Sequence, residues 1–150
     1  MEKLNFPNFK LLFKNKENKP FLFDSIRKKW VLCTPEEWVR VHCVNYLLKN
    51  KGYPASWIQI EKEIKVYDTR KRFDIVVSHP IGGNHILIEC KAPSIKITQK
   101  TFDQIARYNL QIKSKYLMLT NGLNHYFCIM NYEKGQFTFM EELPEYSQKS

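Results

Sequence analysis

The polar and apolar positions along this chain fall into blocks, and each block predicts an element. Phe21-Leu22-Phe23 and Trp30-Val31-Leu32-Cys33 are short β-rich runs around the polar segment Asp24–Lys29, the pattern of two strands. Residues 3–19 before them are rich in Asn and Lys with scattered Phe and Leu, which predicts a loosely ordered arm over residues 1–20. Thr34 can then cap a helix, with Pro35 at the first helical position and Glu37 three residues after the cap. Val41, Val44, Leu47 and Leu48 follow at helical spacing and Gly52 is a natural stop, so a helix is expected over 35–50.

Ile58, Ile60, Ile64 and Val66 alternate with Gln59, Glu61, Glu63 and Lys65, as in a strand with one wet face, although Lys62 falls in the apolar register. Phe73–Ser78 and the run from Ile86 are apolar almost throughout and are expected inside the sheet, joined by Gly82-Gly83-Asn84 and ended by Pro93. A second helix is expected from about Thr98 to Lys113, with Ile105, Ala106, Leu110 and Ile112 as its apolar contacts. Strands at Tyr116–Leu119, His125–Met130 and Phe137–Met140 complete the pattern, the last two joined by a turn at Glu133-Lys134-Gly135. The order predicts an α/β (α+β) domain, a mixed sheet flanked by helices.

Composition narrows the class. At 150 residues one domain over 1–150 is expected, ending in an acidic, polar tail over 141–150. With 43% hydrophobic residues a core is available, so disorder is excluded as the main state. The longest apolar run, Tyr126–Met130, is far short of the roughly 20 residues that span a bilayer. No signal peptide is visible, so a cytoplasmic protein without a membrane partner is expected. The four cysteines have no metal-binding spacing and read as reduced, mostly buried thiols. The net charge of +9 is uneven: residues 1–34 hold eight basic groups against three acidic, and residues 61–115 hold eleven against six. Such a body suits a polyanion, nucleic acid first, although lysine in excess also serves solubility.

Candidate chemistry gathers at one end of the predicted sheet. Residues i and i+2 share a strand face, so Glu89 and Lys91 point together and Cys90 points away. A hairpin centred on Gly82 pairs position 74 with about position 90, which brings Asp74 to that end. Two carboxylates plus a backbone carbonyl suffice for Mg²⁺, which keeps several waters. A bound ion of this kind activates water and offsets charge on phosphate, and Lys91 could orient the water and stabilise developing charge. A plain ion pair between Glu89 and Lys91 is the simpler alternative. Gln104 and Tyr108 share a face of the second helix. On the first helix either Glu36 or Glu37 could point at the same site, since they lie about 100° apart. Each also has a structural explanation: Glu37 completes a capping box and Glu36 can pair with Arg40.

The set formed by a first-helix glutamate, Asp74, Glu89-Cys90-Lys91 and Gln104-xxx-Tyr108 resembles the PD-(D/E)xK nuclease superfamily. Within it, Thr34-Pro35-Glu36-Glu37, Arg70-Lys71-Arg72-Phe73-Asp74, Glu89-Cys90-Lys91-Ala92-Pro93 and Leu119-Thr120-Asn121-Gly122 resemble the N-terminal nuclease domain of type I restriction enzyme R subunits. The resemblance spans roughly residues 30–130. It implies a restriction-endonuclease-like three-layer core and a DNA endonuclease dependent on Mg²⁺, with Mn²⁺ as a substitute. It makes Asp74, Glu89 and the Cys90 carbonyl the metal ligands and Lys91 the catalytic lysine. Gln104 and Tyr108 become site support or DNA contacts. The first-helix glutamate completes the shell, with Glu36 favoured by its spacing to Arg40 and Glu37 left open. Phe73 stands where the motif's proline would be.

Arg70, Lys71, Arg72, Lys96, Lys100 and Arg107 bracket the acidic set and are the expected phosphate-binding rim. No Walker-type Gly-Lys-Ser/Thr is present, so ATP-driven movement on DNA would need a separate motor or other restriction–modification subunits. A homodimer would let one site per chain cut both strands. Two alternatives share the fold: a catalytically weak or inactive nucleic-acid-binding or assembly module, and a repair or recombination nuclease. A histidine nuclease is not expected: His42 falls on the polar side of the first helix, and His79, His85 and His125 at turns or strand starts.

Overall fold

The computed structural model describes residues 1–147. A three-stranded antiparallel sheet comes first: β1 (Phe13–Lys16), β2 (Lys19–Asp24) and β3 (Lys29–Leu32). Helix α1 (Pro35–Asn45) continues into a π-helical turn, Tyr46–Asn50. Then come β4 (Ile58–Val66), β5 (Thr69–His79), β6 (Gly83–Cys90), α2 (Gln99–Ile112), β7 (Tyr116–Thr120), β8 (His125–Asn131) and β9 (Gln136–Met140). These six strands form one sheet in chain order, antiparallel except for the parallel β6–β7 pair that α2 bridges. This is a mixed α+β fold with helices on both faces of a mixed sheet.

Local chemistry explains the helix ends. Thr34 accepts the Glu37 N–H at 3.1 Å and caps α1, while Gly52 takes a left-handed φ of 73° beyond the π-turn. Thr98 caps α2 by accepting the Thr101 N–H, and Lys113 ends it in the left-handed region. The apolar face of α2 is Phe102, Ile105 and Ile112; Leu110, expected among its contacts, is 50% exposed because it falls one position off that stripe.

Two cores clasp the sheet. On the α1 side Val39, Cys43, Val44 and Leu47 pack on Ile75, Val77, Ile86, Ile88, Cys90 and Met118. On the α2 side Phe102, Ile105 and Ile112 pack on Phe73, Val76, Leu87, Leu117 and Leu119. The expected single wet face of β4 is not what forms. Ile58 and Ile60 belong to the α1-side core, whereas Ile64 and Val66 belong to the other. The faces exchange at Glu61, whose φ is 53°, and directly across at Asp74, where Phe73 and Ile75 point to opposite cores. The ladder runs Ile60↔Ile75 and Lys62↔Phe73 with no pair recorded between them.

Both chain ends depart from expectation. The first 20 residues are not a loose arm: they hold β1, bury Leu4, and bond Asn5 N–H to the Gly122 carbonyl at 2.7 Å. His42 is therefore covered rather than on a polar face. It stacks with Phe6, meets Trp38 edge-on and Phe9 at a tilt, and burial pushes its pKa down. In the expected polar tail, Leu143 is buried and Tyr146 packs on Trp57; residues 148–150 lie outside the described residues. Burial of all four free cysteines agrees with their sequence reading. Among the described residues no helix is long and apolar enough to cross a membrane.

Candidate active site at the β5–β6 strand ends

Strand register brings the acidic pair together. From Ile75↔Ile88 to Val77↔Ile86 the β5–β6 ladder runs evenly, and one more step places Asp74 beside Glu89. The turn is centred on Ile81 rather than Gly82, with His79 opposite Gly83, and a bulge at Val77/Ser78 takes back half of that offset, leaving Asp74 one position from the expected partner. Asp74, half-buried, accepts the Cys90 N–H on Oδ2 at 2.7 Å. Glu89 is buried, and its carboxyl is pushed up to about 8. Burial is the largest cause, then the Asp74 charge and a hydrogen bond to Asp74; Lys91 and Lys71 pull the other way. Two carboxylates thus meet at one strand end, and the buried one, Glu89, favours its protonated form beside the Asp74 charge.

Alternation places Cys90 on the opposite face, as expected. Its thiol meets Cys43 in the α1-side core and is pushed well up by that hydrogen bond and by burial. Lys91, just past β6, is fixed by its N–H to the Thr120 carbonyl at 2.8 Å. A Glu89–Lys91 bridge is not among the ion pairs of the described residues. The first turn of α1 separates the two candidate glutamates. Glu36, exposed at the start of α1, lies within electrostatic reach of the site: partial burial and the Asp74 charge push its carboxyl up, and Lys91 pulls it down. Glu37 does not face the site. It accepts from Arg40 Nε at 2.9 Å and lies 3.9 Å from Arg27, in a cluster with buried Asp24.

With this geometry the family comparison is decisive. A model of the type I restriction enzyme R protein N terminus matches residues 35–144. The chain belongs to that family. No curated protein matches it. A similar solved structure is the fragment from Vibrio vulnificus YJ016 described as an HsdR subunit of a type I restriction enzyme. It is 17% identical over 75% of this chain, with a TM-score of 0.54, and shows the shared fold. This chain covers 24% of the length of that one.

In this R-protein N-terminal domain the remaining site candidates divide. Tyr108 meets Phe73 edge-on at 6.2 Å, and Lys71 Nζ lies 5.2 Å over its ring. Tyr108, exposed Gln104, Lys100 and Arg107 line a cleft of about 550 Å³. Lys96 is exposed on the loop before α2. Arg70 and Arg72 point away from Lys71 and meet Glu63 at 3.7 and 3.5 Å, so their charge is partly spent across the hairpin.

Sequence reading missed Glu61. Its charge acts on Glu36, and its side chain lies 3.1 Å from Arg27 and 4.0 Å from Arg72. Lys62 in the apolar register is the signal that pointed to it, because the break in alternation falls there. Among the described residues no three His, Cys, Asp or Glu side chains form a set that could hold a metal ion. A closed side-chain cage is thus absent there. The donors fit a hard cation instead, one that keeps its waters and needs one or two carboxylates. The raised Glu89 carboxyl beside Asp74 marks where such a cation would relieve charge.

Proposed function

We propose that this domain is a Mg²⁺-dependent DNA endonuclease of the PD-(D/E)xK type, with Mn²⁺ as a substitute. The observation that carries the reading is the carboxylate pair Asp74–Glu89, flanked by Lys91 and Glu36 at one sheet end. Asp74, Glu89 and the Cys90 carbonyl would hold the ion, which supplies an activated water and offsets charge on the phosphate. Lys91, held by its own backbone N–H, presents its ammonium to the phosphate oxygens and stabilises charge developing there. Glu36 orients the attacking water and accepts its proton, a role suited to a carboxyl whose pKa is raised. Gln104, Tyr108, Lys100 and Arg107 line the cleft along which the DNA backbone would run, with Lys71 above Tyr108. DNA is the substrate, and other restriction–modification subunits, a motor among them, are the partners this reading implies.

Plasmid cleavage in Mg²⁺ or Mn²⁺ tests it. The parent protein should nick or cut DNA, and Asp74→Ala and Lys91→Ala should not; equal cutting by either variant overturns the assignment. The same cleft favours a second reading, a binding module without catalysis, because its cations need no metal to hold DNA. Salt-sensitive DNA binding with no divalent-metal heat in calorimetry would select it.

A further inference from the structure

The small sheet β1–β3 turns one face to α1 and the other to solvent. Cross-strand partners share a face, and the face alternates along each strand. Leu22 pairs with Val31 and is buried with Cys33 and Val41, which fixes the inner face. The outer face then carries Lys14, Phe21 and Leu32 in one row, Phe23 and Trp30 in the next, and Lys16 with Lys19 in the third.

That outer face is aromatic and basic together. Trp30 is 37% exposed, and Lys14 Nζ covers one face of its ring at 4.3 Å, a surface cation that a stacking base would displace toward its own phosphate. Phe23 meets Trp30 edge-on at 5.4 Å. Lys14, Lys16 and Lys19 are all exposed. No carboxylate occupies these rows: Asp24 lies on the inner face, and Glu17 sits in the tight turn between β1 and β2. Lys28 and Lys29 add charge at the other end of the sheet.

We propose that this face is a docking platform for single-stranded DNA. Unpaired bases present flat faces that stack on any exposed aromatic ring, while lysines beside the rings take the phosphates. A duplex hides its base faces and has no use for Trp30 and Phe23. The sheet, though not this outer face, is tied toward the candidate active site: Arg27 of the β2–β3 turn holds Asp24 on the inner side at 2.7 Å and reaches Glu61 at 3.1 Å. Choosing DNA rests on the nuclease reading above; the stacking face itself does not.

Anisotropy titrations in EDTA test it without cleavage, using labelled oligothymidylate, oligouridylate of equal length and a mixed duplex. Trp30→Ala with Lys14→Ala should weaken oligothymidylate binding about tenfold or more and change duplex binding far less. Lys16→Glu with Lys19→Glu, a pair confined to exposed side chains at the turn, should weaken it similarly and keep the parent's thermal midpoint. Plasmid cleavage by the parent in Mg²⁺ is scored apart from oligothymidylate binding in EDTA, so loss of the nuclease reading and loss of the platform are separable. Unchanged oligothymidylate affinity in both platform variants overturns the proposal, as does an equal loss on duplex. Tighter oligouridylate binding by the parent overturns the choice of DNA. A change of oligomeric state in the platform variants with DNA binding intact overturns it in favour of a protein interface.

Discussion

Asp74 Oδ2 accepts the backbone N–H of Cys90 at 2.7 Å, so one carboxylate of the site is fixed by the strand that carries the other. That bond also gives Cys90 N–H a partner at the β6 end. A single side chain therefore joins strand pairing to the chemistry, and structure and activity can be separated there by choice of substitution.

Asp74→Ala should lose both functions. Leaving Cys90 N–H without a partner costs about 1–3 kcal/mol, and cleavage should fall by roughly 10²–10³. Asp74→Asn keeps an oxygen that can accept the same N–H. It should recover most of the stability and little of the activity. Urea unfolding beside plasmid cleavage checks the split; an Asn variant as active as the parent would remove Asp74 from the chemistry.

Glu89 gives a pH signature of defined sign. Its carboxyl is raised from 4.5 to about 8 in the folded, metal-free protein. Between those values the folded chain holds a proton that the unfolded chain has released. The stabilisation is complete below about pH 4.5, shrinks as pH rises and is gone above about pH 8. Glu89→Gln lacks this dependence, so the stability difference between parent and variant should drift steadily toward the variant across that window. Mg²⁺, by competing with the proton, should protect the parent more at pH 8 than at pH 6, as thermal melts would show. A difference independent of pH contradicts the raised Glu89 carboxyl.

The two first-helix glutamates should behave oppositely. Glu36→Gln should reduce cleavage with little change in stability, because its neighbours are Asp74 and Lys91. Glu37→Gln should reduce stability with less effect on cleavage, because its partners are Arg40 and Arg27. Arg40 is itself buried, pairs with Asp24 at 3.0 Å and leaves Nη1 without a hydrogen-bond partner among the described residues. Removing it exposes Asp24 and Glu37 to each other, and Arg40→Ala should cost about 3–5 kcal/mol. A stable Glu37→Gln variant that has lost cleavage would reverse the assignment.

These contrasts also mark what a sequence can disclose. Helix caps and apolar periodicity are local, so α1 and α2 are legible to within a few residues. The Gly-rich turn nearly sets the β5–β6 register: it centres one residue early, on Ile81, and the bulge at Val77/Ser78 recovers part of the offset. Glu36 and Glu37 cannot be told apart from spacing, because the partners that separate them, Arg27 and Asp24, come from another sheet. Glu61 is hidden for a related reason. Its left-handed backbone exchanges faces in mid-strand, and alternation on either side of the break looks unbroken except at Lys62. The order of the N-terminal segment depends on contacts more than a hundred residues away, which composition does not record.

That segment yields the last prediction. Gly122 has a φ of +87°, a region that L residues resist, and a Cβ there would lie 2.8 Å from Leu4 Cδ2 and 3.0 Å from Val39 Cγ2. Gly122→Ala therefore carries backbone strain of about 1–3 kcal/mol together with a clash against the buried Leu4. Val39 sits in the helix core and has little room to move, whereas Leu4 is held by its own packing and by the adjacent Asn5–Gly122 bond. The clash should be relieved by releasing Leu4, exposing the Asn5 amide and the Trp38 indole N–H that bonds to the Glu2 carbonyl. Hydrogen exchange at those two positions should rise in Gly122→Ala while exchange in β6 and β7 is unchanged. A double-mutant cycle separates the two contributions: in a Leu4→Ala background the alanine at 122 should cost only the strain, so the combined loss should be smaller than the sum. Strict additivity would mean that Leu4 is not what the new methyl meets, and that the amino-terminal segment is held elsewhere.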